Sequence, residues 1–191
     1  MRKTVKMQES QRINWFGFVG GILTVILVFV SMLYPWWQLT VGELFKANVS
    51  PVNTNFDLLG TDFAIPFIWA LNMISLVMLI SSGIAMVAYS VIPNKSYSHY
   101  LLNFSYKKPL FSLIFFIAGL FAVTLILQAV LSINMPLVGS ATVTLPESLT
   151  KGLTVSLILS AGFQWPFLLG IAAAVFCLAA KLHHNALTRL L

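Results

Sequence analysis

Four long stretches of this chain are almost free of polar residues: 15–34, 65–92, 109–133 and 161–180. A membrane-spanning helix needs about 20 mostly apolar residues, so each stretch predicts one span. None of the four contains Asp, Glu, Lys, Arg or His. Between them the pattern changes from continuous to alternating. In the first loop (36–62), Leu39, Val41, Phe45, Ala47 and Val49 fall on one side. Thr40, Gly42, Lys46 and Asn48 fall on the other, and Glu43 and Leu44 break the pattern. Period two predicts a half-buried strand over 38–49, then a turn region at Ser50-Pro51 and Asn53–Asn55, and a weaker strand over 56–59. In the second loop (138–159), Ala141, Val143 and Leu145 alternate with Ser140, Thr142 and Thr144. After a turn at 146–152, Leu153, Val155, Leu157 and Leu159 alternate with Thr154 and Ser156. This predicts a β-hairpin, with an extension of the fourth helix through 153–160 as the alternative. Paired, the two loops give a sheet of up to four strands with one apolar face.

Prolines punctuate the pattern in the same order twice. Pro35, Pro51 and Pro66 mark a run's end, a loop and the next run's start; Pro136, Pro146 and Pro166 repeat the order about a hundred residues on. Phe63-Ala-Ile-Pro66-Phe67 matches Phe163-Gln-Trp-Pro166-Phe167. The fold class expected is therefore a membrane all-α four-helix bundle carrying a small extracytoplasmic β-sheet, organised as a tandem helix–loop–helix repeat. Its halves are 15–92 and 109–180, joined by a cytoplasmic connection at 93–108 and flanked by tails at 1–14 and 181–191. Two halves of equal orientation imply a pseudo-symmetry axis along the membrane normal.

Composition agrees: 59% of the residues are apolar and 8% charged, where a soluble domain carries about a quarter charged. Arg2, Lys3, Lys6 and Arg12 lie in the first tail, Lys95, Lys107 and Lys108 in the middle connection, Lys181 and Arg189 in the last tail. The loops keep only Lys46 and Lys151 beside Glu43, Asp57, Asp62 and Glu147. This distribution predicts cytoplasmic termini and outer acidic loops. The first span reads as an uncleaved anchor, because its apolar core is long and no A-x-A-like site follows. The net charge of +6 reflects the sorting of charge across a bilayer, and no nucleic-acid-binding module is readable. A single cysteine, Cys177, excludes an intrachain disulfide.

Small residues mark candidate packing faces: Gly17 and Gly21 in the first span, Ser81 and Ala85 in the second, Ala118 and Ala122 in the third, Gly170 and Ala174 in the fourth. Intramolecular packing is the bland reading of each pair and dimerisation the sharp one. Asn72 and Gln128 are the costliest polar residues to leave in lipid and should face other helices. Trp36, Trp37, Trp69 and Trp165 read as an outer interfacial belt. Asn48 begins an outer N-x-S sequon, a candidate glycosylation acceptor. His99, His183 and His184 have no Cys, Asp or Glu near them in sequence, and no catalytic, cofactor or metal motif occurs.

Four spans, cytoplasmic termini, strands in both outer loops and Trp36-Trp37 just after the first span resemble the claudin-like four-span (tetraspan) membrane proteins. Asp57-Leu-Leu-Gly60 stands where that family has a G-L-W motif, and the family's paired loop cysteines are absent. The resemblance implies a four-helix bundle with an outer sheet; no barrier or pore residue transfers. The function expected is non-enzymatic: a structural or accessory subunit packing laterally with the lipid bilayer and other membrane chains, as homo-oligomer or hetero-complex. The alternative is an oligomeric small-solute channel or transporter using Asn72 and Gln128.

Overall fold

The computed structural model describes residues 13–41, 45–52, 54–58, 61–63, 66–93, 95–131, 136–144 and 156–190. Its helices are α1 (Trp15–Leu33), α2 (Pro66–Val91), α3 (Ser98–Ser105), α4 (Lys108–Leu131) and α5 (Trp165–Leu190). Its strands are β1 (Trp37–Val41), β2 (Phe45–Val49), β3 (Thr54–Leu58), β4 (Thr61–Phe63), β5 (Gly139–Thr144) and β6 (Ser156–Phe163). Among the described residues, four helical stretches are long and apolar enough to cross a membrane: Trp15–Leu33, Pro66–Val91, Ser98–Leu125 and Trp165–Ala186.

The prolines act where expected. Pro66, Pro109 and Pro166 stand in the first turns of α2, α4 and α5, where a missing N–H removes no helical bond. Pro35 holds Tyr34 extended (φ −131°, ψ 138°) and so ends α1. Asn14 caps the other end of α1: its Oδ1 accepts from Gly17 N–H at 3.1 Å.

The helices form a ring. α1 packs on α2 and α5, α2 also packs on α4, and α4 closes against α5. Close approach in this ring depends on small residues. A Cβ on Gly20 would lie 2.9 Å from the Cys177 amide nitrogen in α5; one on Gly21 would lie 2.9 Å from the Val87 amide nitrogen in α2. The α2–α4 seam is tied by two reciprocal bonds: Ser112 Oγ donates to Ser75 O (3.1 Å), and Ser75 Oγ donates to Ser112 O (3.3 Å).

The sheet is larger than expected. Among the described residues it has six antiparallel strands in the order β4-β3-β2-β1-β6-β5. The single strand expected over 38–49 is two antiparallel strands, β1 and β2, and Glu43 and Leu44, which break the alternation, lie outside the described residues. The first loop supplies four strands and the second two, so the loops of the two halves are unequal. The second hairpin runs to Phe163 and the fourth helix starts at Trp165, because 156–163 keeps period two up to Gln164. The turn expected at 146–152 and Leu153 and Val155 lie outside the described residues.

One face of the sheet is buried. Leu39 of β1 pairs with Ala47 of β2 and Ala161 of β6, and Trp37 pairs with Val49 and Phe163. These side chains join Leu27, Leu120, Val123 and Phe167 in one core between sheet and helices. A second, smaller core at the opposite end comprises Met86, Tyr89, Leu102, Cys177 and Ala180.

The connection expected at 93–108 is shorter than that, since α3 occupies its second half. α3 leads almost directly into α4. Tyr106 N–H still bonds Leu102 O (3.0 Å), and Phe111 N–H bonds Lys107 O (3.0 Å). Pro109 has no N–H to offer Ser105 O, which accounts for a break at 106–107 in an otherwise continuous helix. The third apolar span, Ser98–Leu125, therefore contains Lys107 and Lys108.

Candidate functional site

Lys108 sits well inside the bundle's length. Its Nζ donates to Ser81 Oγ at 3.2 Å and lies 3.1 Å from the centroid of the Phe104 ring. Ser81 is ten residues from Val91, the end of α2, or about 15 Å at 1.5 Å per residue. The level can be checked against α1. Two residues from Ser81, a Cβ on Gly83 would lie 2.9 Å from Val25 Cγ2, and Val25 is next to the midpoint of α1. The ammonium thus lies near half-height of the shortest span. Phe104 is exposed on the outer surface of the bundle, so the site faces outward between α2 and α4.

Among the described residues no helix carries Asp or Glu. The five acidic residues are Glu9, Glu43, Asp57, Asp62 and Glu147, of which Asp57 and Asp62 lie among the described residues, in β3 and β4. Asp57 and Asp62 stand opposite each other in the β3–β4 register, with Lys46 opposite Asp57 on β2. Among the described residues no group of three or more His, Cys, Asp or Glu could hold a metal.

A second basic cluster lies between α3 and α5. Lys181 Nζ donates to Asn103 Oδ1 (2.8 Å) and lies 5.7 Å from the Tyr106 ring centroid. Lys107 Nζ lies 5.4 Å from the same centroid.

The expected packing residues divide. Gly17, Gly21, Ala85, Gly170 and Ala174 are buried inside the bundle, so the Gly17/Gly21 pair is filled by α2 of the same chain. Ser81 is half-buried beside Lys108. Ala118 is exposed and Ala122 half-buried, and α4 presents Gly119 inward instead, against Leu71 of α2. Asn72 is buried, but Gln128 is exposed rather than facing other helices. Ser112 sets the level of Ser75, so Gln128 lies about 20 Å further along the bundle than Asn72, and the two do not line one path.

The tryptophans divide as well. Trp69 and Trp165 are exposed. Trp36 and Trp37 are not in a belt: both are fully buried. Trp36 Nε1–H donates to Ser31 Oγ (2.7 Å), and its ring lies 5.0 Å from Phe116 and 6.1 Å from Phe167. Trp37 Nε1–H donates to Leu137 O (2.7 Å). Asn48, the candidate glycosylation acceptor, lies in β2 with its Oδ1 bonded by Gln38 Nε2 (3.0 Å).

Sequence reasoning missed the network around Asn14. Its Nδ2 donates to the Tyr89 hydroxyl (3.0 Å) and to Ala180 O (3.2 Å), joining α1, α2 and α5. The Tyr89 hydroxyl lies 3.0 Å from His184 Nδ1. An Asn directly before an apolar run is a helix-cap signal, and that signal was available. Asn14→Ala removes the cap and the two bonds to Tyr89 and Ala180, and is expected to lower stability by about 1–2 kcal/mol. Asn14→Asp keeps the cap acceptor and loses only the donor. Thermal unfolding in detergent should therefore rank wild type above Asp and Asp above Ala; equal midpoints for all three would remove the network from the account.

No protein-family model matches the chain, and no curated protein matches it in sequence.

Proposed function

We propose that the protein is a non-enzymatic, multi-pass membrane subunit that packs laterally against other membrane chains, with both termini on the cytoplasmic side. The observation that carries this reading is Lys108. A cation within an apolar span is expensive in lipid and normally pairs with an opposite charge. Among the described residues the helices contain no Asp or Glu to supply one. A carboxylate on a neighbouring helix would answer it, approaching between α2 and α4 where Phe104 is exposed. The edge strands β4 and β5 offer a second contact outside the membrane, since an unpaired edge can accept another strand. The orientation rests on the basic tails, which belong on the cytoplasmic side.

The test is extraction from the native membrane in mild detergent. Wild type should retain a partner chain that crosses the bilayer. Lys108→Met should lower recovery of that partner by roughly five- to thirtyfold, the equivalent of about 1–2 kcal/mol of interhelical bonding, while its own melting temperature holds or rises. A folded Lys108→Met variant with undiminished partner recovery would end this reading. Solute flux by the isolated chain in vesicles would replace it with the channel.

A further inference from the structure

We propose that Tyr89 and His184 form a proton-operated latch between α2 and α5, closed while the imidazole is neutral and weakened when the ring takes a second proton. The latch lies at the bundle end that holds the start of α1 and the ends of α2 and α5, and uses neither Lys108 nor the sheet. Its hydrogens can be assigned from the partners. Gly17 N–H can only donate, so Asn14 turns its Oδ1 there (3.1 Å). Ala180 O can only accept, so Asn14 turns its Nδ2 there (3.2 Å). Both ends of the amide are thereby fixed. The same Nδ2 meets the Tyr89 hydroxyl at 3.0 Å, and the hydroxyl oxygen accepts from it. The hydroxyl hydrogen is left for His184 Nδ1, 3.0 Å away. His184 then presents a bare Nδ1 and carries its hydrogen on Nε2.

A second proton converts Nδ1 from acceptor to donor. The Tyr89 oxygen would then face two N–H groups, and its own hydrogen would lose its acceptor. Among the described residues the hydroxyl has only Asn14 and His184 as partners, and Tyr89 has no exposed surface through which water could replace one. A buried donor without a partner costs its full desolvation. His184 itself is half-buried, so a proton can reach the ring. The titratable or charged groups around it are Tyr89 from α2, His99 from α3, and Lys181 and His183 from α5. The start of α1 contributes the uncharged Asn14, through Tyr89, and Phe16, against His183. Among the described residues none of these neighbours is acidic, and a cation on the ring would add repulsion with Lys181. The latch bond is present with the ring neutral and lost with it protonated. Its contribution to stability is therefore present above the ordinary histidine range, about pH 6.5, and lost as pH falls below it. Asn14 keeps its bonds to Gly17 and Ala180 throughout, so the seam that loosens is the one between α2 and α5.

The experiment uses the full chain purified in mild detergent, with thermal unfolding recorded between about pH 5 and about pH 7.5. Wild type should melt about 2–4 °C lower at the acid end. Carboxylates elsewhere add to any pH slope, so the variants carry the comparison. Tyr89→Phe and His184→Gln should each remove this part of the slope, and the double variant should remove no more than either alone. His99→Gln and His183→Gln, whose rings rest on Tyr100 and Phe16, should keep it. The chain has three histidines, so combining those two substitutions leaves His184 alone for nitrogen NMR of the labelled ring. At about pH 7.5 the ring should show a bare Nδ1 and a protonated Nε2. Where one of the latch variants does not fold, the other and the NMR assignment decide. The proposal is overturned by a hydrogen on Nδ1 in neutral solution, or by a melting temperature that rises on acidification. It is also overturned if the wild-type slope survives in both Tyr89→Phe and His184→Gln.

Discussion

Replacing Trp36 by alanine is expected to destabilise the protein by about 3–5 kcal/mol. The residue has no exposed surface. Its main chain continues the sheet on both sides: Trp36 N–H donates to Val49 O (2.9 Å), and Gln164 N–H donates to Trp36 O (2.8 Å). Its ring fills the space where α1, α4 and α5 meet, against Phe116 and Phe167, and a Cβ on Gly170 would lie 3.7 Å from its Cη2. Truncation would leave a cavity bounded by the sheet above and three helices below. Those backbones are held by their own hydrogen bonds, so the space cannot collapse, and an uncollapsed cavity lies at the costly end of the range. Trp36→Phe separates the two contributions. It keeps most of the volume and loses the bond to Ser31 Oγ, for an expected loss of about 1–2 kcal/mol. Trp165→Ala is the control: it is half exposed, and although it stacks near Tyr34 its removal opens no enclosed space. Chemical or thermal unfolding in detergent should give the order Trp36→Ala, Trp36→Phe, Trp165→Ala from greatest loss to least. A Trp36→Ala variant as stable as Trp165→Ala would show that the sheet and the helices do not share a core.

How far the sequence could be read depended on whether a signal was local. Helix existence was legible because apolar runs bounded by prolines depend only on neighbouring residues, and Pro66, Pro109 and Pro166 do sit in first turns. Strand existence was legible from period two, and the interrupted alternation in 38–49 goes with two antiparallel strands there, β1 and β2, in place of one. The start of the third span was not legible. Lys107-Lys108-Pro109 resembles a loop in any reading by charge, whereas the fold carries Lys108 on the Phe104 ring and Ser81 Oγ, partners on two different elements. The tryptophans after α1 were misplaced for a related reason. An indole beside a span can lie in the interface or turn under a sheet, and the choice depends on acceptors such as Ser31 Oγ and Leu137 O that only the fold brings near. The α2–α4 seam was hidden likewise: Ser75 and Ser112 are unremarkable serines until helix register sets them opposite each other. Ala118 and Gly119 differ by one position, and a small-residue spacing alone cannot say which faces inward.

Enlarging the glycines of α1 should separate helix packing inside the chain from association between chains. Gly20→Leu is expected to destabilise by about 3 kcal/mol or more, and Gly20→Ala by about 1–2 kcal/mol. The reason is what the new atoms meet. At Gly20 a Cβ would lie 2.9 Å from Cys177 N and 3.1 Å from Phe176 C, both main-chain atoms of α5. At Gly21 it would lie 2.9 Å from Val87 N and 3.2 Å from Gly83 O, main-chain atoms of α2. Backbone within a helix cannot step aside as a side chain does, so the helices must part and lose dispersion contacts along their length. Gly119→Ala on α4 is the counter-case. Its nearest neighbour would be Leu71 Cδ1 at 3.5 Å, an ordinary contact at the end of a flexible side chain. Alanine also favours helix over glycine by up to about 1 kcal/mol, so this variant should be neutral or slightly more stable. The two positions therefore carry opposite expected signs for the same substitution. If Gly17 and Gly21 served mainly to bring two copies together, Gly21→Leu would split an oligomer and leave the monomer's melting temperature intact. Packing inside the chain requires the reverse: a lower melting temperature for Gly20→Leu and Gly21→Leu, with the molar mass by light scattering of whatever stays folded unchanged. Because α1 meets α2 through Gly21 and α5 through Gly20, loosening it disturbs the two most extensive seams of the ring at once.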